Sequence, residues 1–468
     1  MLFSSLAYLI VFLPLAVLMY RTLRRRGKTT QAQIFLVIAS AIFYAWGDTR
    51  FLPVLFGSIA CNWILTRGMS TWPARRKVIF SLGLILNVGV LCAYKYVGFF
   101  TESLRDIGVP VPLLRNDEFP LGLSFFTLQQ IMYLVDCYEG LVVPGSLLSH
   151  ASFVAFFPYL LLGPLSRAKQ MIGSLSTPGV EPTPFASGLF LLIVGLAKKV
   201  IVADTLASFV TAGYTGNHAW SSLEAWTFSV AYSLQLYFDF SGYSEMALGA
   251  ARMLGLEIPQ NFNVPFRSRT VAEFWQRWHM SLTAFITTYL FTPILRSMGR
   301  ATLATAAMAS MLSMLVAGLW HGPSWTFVVF GGLHGLALVV NQYWKRMKRK
   351  VPPVPATILT LLFVNGAFIV FRAPDMPIAL DHLLSLVPFR GVSMEHLSSA
   401  RVTFDPFGWW LMLVCAAVAS VSGPSAAEIA KTALVSRRYR ALLFLATVVS
   451  AVIICSGSTE GQFVYAQF

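Results

Sequence analysis

The sequence predicts an all-α polytopic membrane protein, and three observations carry that prediction. Apolar side chains make up 56% of the 468 residues and charged ones only 12%, about half the charge density of an average soluble domain. The apolar residues fall into long runs of the length needed to cross about 30 Å of hydrocarbon, roughly 20 residues each. The 35 Lys and Arg outnumber the 20 Asp and Glu, and about half of them sit in four short windows between those runs: Arg21 to Lys28, Arg67 to Lys77, Lys345 to Lys350 and Lys431 to Arg440. Bases gathered between apolar runs are the mark of cytoplasmic loops. A nucleic-acid footprint would instead collect them on one soluble face. The five cysteines are scattered, none in a CxxC pair, so neither a disulfide framework nor a zinc site is expected.

In chain order, Leu2 to Met19 is apolar, with no base before it and an arginine cluster after it. A secretory signal has the reverse polarity, so an uncleaved first span with its N-terminus outside the cytoplasm is expected. Spans follow at Ile34 to Trp46, Phe51 to Leu65 and Val78 to Phe100. Near the other end, Ile358 to Phe371 and Phe407 to Ser420 separate two basic windows, so both windows can face the cytoplasm. The loop between those spans, Ala373 to Asp405, carries Asp375, Asp381, Glu395 and Asp405 against Arg390 and Arg401 and suits the outside. Ala441 to Cys455 then leaves the C-terminus outside as well. The central runs are Phe119 to Tyr138, Ser152 to Leu165, Phe185 to Val210, Trp226 to Leu254, Phe274 to Leu295, Ala301 to Trp320 and Trp325 to Tyr343. Several carry polar residues, Gly or Pro. Irregular backbone at membrane depth is tolerated only where protein surrounds it, so re-entrant or broken helices are expected here. In all, about 11 to 14 membrane segments are expected. Without an internal repeat or linker, they form a single domain over 1–468: N-terminal spans 1–100, a catalytic core 119–344 and C-terminal spans 345–468.

Ionisable groups inside spans are costly and mark function. From Ala301 to Trp344 there is no Asp, Glu, Lys or Arg, and the imidazoles of that run are His321 and His334. His321 stands in Gly318-Leu-Trp-His-Gly-Pro-Ser-Trp325, where Gly322 and Pro323 end a helix. A neutral imidazole is the cheapest titratable group to bury. His321 is therefore a candidate general base, with packing against a neighbouring carbonyl as the alternative. His279, in Glu273-Phe-Trp-Gln-Arg-Trp-His-Met-Ser281, lies beside Trp278 and Arg277. The segment suits an amphipathic helix at the membrane interface or the mouth of a ligand cavity. Asp239, in Gln235-Leu-Tyr-Phe-Asp-Phe-Ser-Gly-Tyr-Ser-Glu245, needs a partner if buried; pairing with an arginine such as Arg252, Arg267 or Arg277 is expected, and a direct catalytic role is the alternative. Lys198 and Lys199 interrupt another apolar run and are expected to snorkel to an interface; a phosphate-bearing cosubstrate is the alternative. No Walker loop, Gly-x-Ser-x-Gly elbow or His-Glu-x-x-His motif is present, so no metal site is expected.

Taken together, Asn261-Phe-Asn-Val-Pro-Phe266, Glu273-Phe-Trp-Gln-Arg-Trp-His-Met-Ser-Leu282 and Leu319-Trp-His-Gly-Pro-Ser-Trp-Thr-Phe327 closely resemble the membrane-bound O-acyltransferases. Tyr237-Phe-Asp-Phe-Ser-Gly-Tyr-Ser244, Ala197-Lys-Lys-Val200, Leu2-Phe-Ser-Ser, Phe43-Tyr-Ala-Trp46 and Phe371-Arg-Ala373 resemble its bacterial branch, which holds the alginate O-acetyltransferase and the D-alanyl transferase of teichoic acids. The resemblance implies a ring of tilted and re-entrant helices around a transmembrane tunnel. The acyl donor would enter from the cytoplasm and the acceptor from outside. It places the catalytic histidine at His321 and a second tunnel histidine at His279. Asp239, Tyr237, Trp278, Trp320, Asn261 and Arg277 would line or support the tunnel. It implies acetyl-CoA as donor, no bound cofactor, and O-acetylation of an exopolysaccharide such as alginate or cellulose. A periplasmic serine-hydrolase-like acetylase and a polymer synthase or export complex would be the partners, at the bacterial inner membrane. One stretch departs from the alginate branch: Thr287-Thr288-Tyr289 stands where that branch carries Arg-Asp-Tyr, which points to a sister subgroup. Two other classes fit the many spans: a transporter of polysaccharide or lipid-linked sugar, and a non-catalytic scaffold of a polymer-export complex.

Overall fold

A computed structural model describes residues 1–114, 118–177, 185–214, 220–387, 406–432 and 437–455. The described residues form helices and connecting turns, without a strand. Most of the acidic loop expected at Ala373 to Asp405, and part of the Lys431 to Arg440 window, lie outside them.

Among the described residues, seven helices are long and apolar enough to cross a membrane: Ala7–Arg25, Thr49–Thr71, Pro73–Asp106, Phe185–Thr211, Leu303–His321, Trp325–Arg346 and Pro353–Arg372. The protein is a multi-pass membrane protein. Shorter apolar helices run over Thr29–Ala45, Trp410–Val421 and Leu445–Cys455.

The chain packs as two compact units, each assembled from discontinuous stretches. The first is Met1–Leu196, Tyr243–Gln260 and Ile429–Thr447. Its core is aromatic: Phe3 stacks on Tyr8 and on Tyr243, each at 4.7 Å, while Phe12 meets Phe157 edge-on at 5.1 Å. Polar groups buried here are satisfied in pairs. Asn62 and Asn87 exchange amide hydrogen bonds of 3.1 and 2.7 Å, and the Arg24 guanidinium donates to the carbonyls of Leu175 and Ser174.

One expected run is not a helix. Over Ser152 to Leu165 the helix Leu147–Val154 stops, and the chain continues as turns whose aromatic side chains are buried. Pro158 cannot continue a helix. The turn at Gly163 brings its Cα so close to Tyr159 that an added Cβ would sit 2.2 Å from the Tyr159 Cα. The freed backbone is satisfied by protein: Phe157 N–H donates to Ser40 Oγ at 3.1 Å, and the Tyr159 hydroxyl donates to the Phe153 carbonyl. This is irregular backbone held within protein.

The second unit is Ala197–Gly242, Asn261–Glu428 and Val448–Phe468. Its frame is the helical hairpin Leu303–His321 and Trp325–Arg346. Each helix starts on a capping hydroxyl: Thr302 and Thr305 cap reciprocally at 3.1 and 2.8 Å, and Ser324 accepts the Thr326 N–H. Glycines let the two backbones meet. A Cβ at Gly318 would lie 2.3 Å from the Phe327 carbonyl oxygen, and one at Gly331 would lie 2.3 Å from that of Met314. Small residues at four-residue spacing, here Gly331 and Gly335, are the usual means of close helix contact in a membrane.

Candidate active site

His321 is the last residue of the helix Leu303–His321 and is buried. Its ring lies against Trp320 at 5.0 Å, Phe371 at 5.3 Å and Phe330 at 6.0 Å. Beside it, a Cβ on Gly322 would collide with the Phe327 ring at 2.2 Å. Only glycine fits the turn that lets the chain leave His321 and re-enter as the next helix.

His279 sits at a second break. The helix Val271–Arg277 ends, His279 takes the left-handed conformation at φ 44°, and Met280–Phe285 restarts. A non-glycine residue there is strained by about 1–2 kcal/mol, so something must hold it. The Asn261-Phe-Asn-Val-Pro segment does. Met280 N–H donates to the Asn261 carbonyl at 2.9 Å, and Asn263 N–H donates to the Arg277 carbonyl at 2.9 Å. The Asn261 side-chain oxygen accepts from Ser281 N–H at 3.2 Å and Ser281 Oγ at 2.6 Å. Arg277 is braced by Glu273 at 3.0 Å, four residues back on the same helix face. Val264 shares the left-handed conformation at φ 45°, unusual for a β-branched residue. Two strained residues in one clamp concentrate stored backbone strain where functional sites keep it.

His279, Trp275 and Trp278 are all buried, so of the two readings of this segment burial in protein weighs against the amphipathic interfacial helix and for the cavity. Trp278 instead packs in a ring cluster with Phe274 at 5.4 Å, Phe262 at 5.0 Å, Phe368 at 5.2 Å and Tyr237 at 6.3 Å. His279 meets Phe240 edge-on at 4.7 Å and Trp320 at 6.4 Å. Trp320 therefore touches both imidazoles, and the two histidine-bearing breaks converge on it. His334 lies elsewhere in this packing: its Nδ1 accepts the Trp275 indole N–H at 3.2 Å and Phe330 covers it at 4.6 Å, a packing role.

Two expectations about charge are corrected. Asp239 is buried, but its partner is Lys199, at 2.7 Å, not an arginine. Arg252 pairs with Glu257, Arg277 with Glu273, and Arg267 donates to the Val421 carbonyl. Lys199 does not snorkel. It is 1% exposed and also binds Asp204 at 2.7 Å. The wide i→i+5 turn over Lys198–Ala203 brings Lys199 against Asp204, five residues on. This Asp204–Lys199–Asp239 cluster was missed as a unit. Its signal was present: one buried base and one buried acid standing in two apolar runs that each need a partner. Lys198 lies 5.7 Å from the Tyr237 ring centre.

The apolar spans make this a polytopic membrane protein, and two of its buried histidines stand at helix breaks. The family model described as MBOAT, membrane-bound O-acyltransferase family, matches residues 122–372, and the chain belongs to that family. It is similar to a Peptidoglycan O-acetyltransferase of Helicobacter pylori, 34% identical over 439 residues, 86% of this chain and 83% of that protein. It is likewise similar to a Probable alginate O-acetylase AlgI of Pseudomonas aeruginosa, 34% identical over 415 residues, 86% of this chain and 78% of that protein. A Teichoic acid D-alanyltransferase of Streptococcus thermophilus is 30% identical over 249 residues, 49% of this chain and 59% of that protein. The protein is an O-acyltransferase.

Proposed function

We propose that this enzyme moves an acetyl group from cytoplasmic acetyl-CoA to a hydroxyl on the far side of the bacterial inner membrane, for O-acetylation of an exopolysaccharide. The observation that carries the site assignment is the convergence of His279 and His321 on Trp320. In this reading His321 accepts the proton of the acceptor hydroxyl as its oxygen attacks the thioester carbonyl carbon. The tetrahedral adduct then collapses, the carbon–sulfur bond breaks, and the CoA thiolate takes the proton back from the imidazolium. General-base catalysis of this kind contributes typically about 10²- to 10⁴-fold. His279 positions donor or acceptor, and Asn261 and Arg277 hold its backbone. Tyr237, Trp278 and Trp320 form apolar walls, and Asp239 supports them through Lys199.

The relatives named for alginate and peptidoglycan both point to carbohydrate hydroxyls as acceptors. The immediate acceptor is either the polymer or a periplasmic serine-hydrolase-like acetylase working with a polymer synthase or export complex. In this reading both termini lie outside the cytoplasm, which the basic windows support.

His321→Ala in proteoliposomes, supplied with acetyl-CoA inside and acceptor outside, tests the role. Transfer should fall by at least about 100-fold, the lower end of general-base loss, while the protein still inserts and elutes as wild type. Wild-type transfer by this variant would rule out the general base at His321 and assign that role to another group of the site.

A further inference from the structure

The second unit also holds a groove whose lining includes neither His279 nor His321. It runs between the C-terminal half of Trp325–Arg346 and the N-terminal half of Pro353–Arg372, and its cavity volume is 580 Å³. Its floor is apolar, with Leu333, Leu336, Val340, Leu359 and Phe363 among its lining residues. Leu336, Val340 and Leu359 are 54%, 54% and 62% exposed. On spanning helices such exposure means contact with hydrocarbon, so the groove opens sideways toward lipid.

One end of the groove is different in chemistry. Arg269 and Arg349 are both among its lining residues, with Asn341 and Trp344, and the Trp344–Arg349 contact marks that end. Both arginines are exposed, and neither guanidinium has an ion-pair partner among the described residues. Arg349 is set in place by a built turn. Lys348 takes the left-handed conformation at φ 55°, and the Trp344 indole N–H donates to the Arg349 carbonyl at 3.1 Å. Arg269 is fixed from the other side: its N–H donates to Glu273 at 2.9 Å, at the start of the helix that carries the His279 break. The turn belongs to the basic window Lys345 to Lys350.

We propose that this groove is a binding site for one anionic phospholipid of the bilayer. The phosphate would lie between the Arg269 and Arg349 guanidiniums and an acyl chain along Leu336, Val340 and Leu359. Two features select this occupant. The guanidiniums match a phosphate in charge and hydrogen-bonding geometry, and the apolar length beside them opens to lipid along its side. Basic pockets between spanning helices beside a basic turn are suited to acidic head groups. Because Arg269 is bonded to the helix that ends at the His279 break, the lipid would also brace that break.

The test uses the purified full-length protein in neutral detergent, with phosphatidylglycerol or phosphatidylcholine as probe. Retained lipid is counted by native mass spectrometry, and stabilisation is read by thermal melting. Wild type should retain one phosphatidylglycerol in preference to phosphatidylcholine and melt higher with it. The double variant Arg269→Gln, Arg349→Gln should bind phosphatidylglycerol about 25-fold more weakly, two contacts each worth about fivefold. Leu336→Trp, which fills the groove and leaves the charges, should also displace the lipid, and it serves if the double variant misfolds. Equal retention of the two lipids by wild type would overturn the proposal. So would undiminished phosphatidylglycerol binding by the folded variants.

Discussion

The Asn261 carboxamide oxygen receives two hydrogens from one residue, Ser281, two positions beyond the strained His279. The residue scale thus separates what His279 does as a side chain from what it does as backbone. Asn261→Ala removes the acceptor and leaves the buried Ser281 N–H without it, a loss of about 1–3 kcal/mol. The variant should melt lower and transfer more slowly. At His279 itself two substitutions divide the roles. Ala keeps the left-handed strain, whereas Gly relieves roughly 1–2 kcal/mol of it. Both remove the imidazole. If the ring positions a substrate, both variants should lose about 10- to 100-fold in transfer, equivalent to a charge-assisted bond of about 1.5–3 kcal/mol, and His279→Gly should melt no lower than His279→Ala. Wild-type transfer by the glycine variant, measured per folded molecule, would reduce His279 to a hinge.

At the scale of elements, the hairpin that delivers His321 depends on which glycines face the partner helix. Gly318 and Gly331 touch backbone across the contact, whereas a Cβ on Gly332 would meet only the Leu315 Cδ2, at 3.6 Å. The three glycines should therefore respond with opposite signs. Gly318→Ala or Gly331→Ala forces the helices apart and should cost about 1–3 kcal/mol. Gly332→Ala should raise the melting temperature, since alanine in a helix is favoured over glycine by about 0.5–1 kcal/mol. A lower melting temperature for Gly332→Ala would contradict the packing face. Much of this element was legible in the sequence. The uncharged run Ala301 to Trp320, the Gly322-Pro323 stop and the restart at Trp325 fall within a few residues of Leu303–His321 and Trp325–Arg346, because length, hydropathy and a helix breaker are local properties. What was not legible is what contacts across the chain decide. Asp239 finds Lys199, 40 residues away, rather than an arginine. The Trp-rich His279 segment is buried because Phe240, Phe262, Phe368 and Trp320 close over it. The apolar run Ser152 to Leu165 bends because protein, not lipid, receives its backbone groups.

For the whole molecule, orientation in the bilayer follows from charge and from helix length. The helix Pro353–Arg372 has 20 residues, and at 1.5 Å per residue it spans about the hydrocarbon thickness. Its two ends, at Lys350 and Pro374, should then face opposite sides of the membrane. The basic window Lys345 to Lys350 assigns the first end to the cytoplasm, and Arg21 to Lys28 should share that side. Part of the latter window is already committed inside the protein: Arg24 is buried against the carbonyls of Ser174 and Leu175, and Arg21 donates to the Met253 carbonyl at 3.0 Å. Labelling positions must therefore be chosen among the exposed residues. Arg26, Lys350 and Pro374 are exposed. The native thiols Cys61, Cys415 and Cys455 are exposed too and have to be replaced first. On that background, a membrane-impermeant maleimide added to spheroplasts should label Pro374→Cys. It should leave Arg26→Cys and Lys350→Cys unlabelled until the membrane is permeabilised. External labelling at Lys350→Cys with protection at Pro374→Cys would invert the orientation, and with it the proposed entry of acetyl-CoA from the side of the basic turns. Labelling of both from outside would show that this helix does not cross the bilayer.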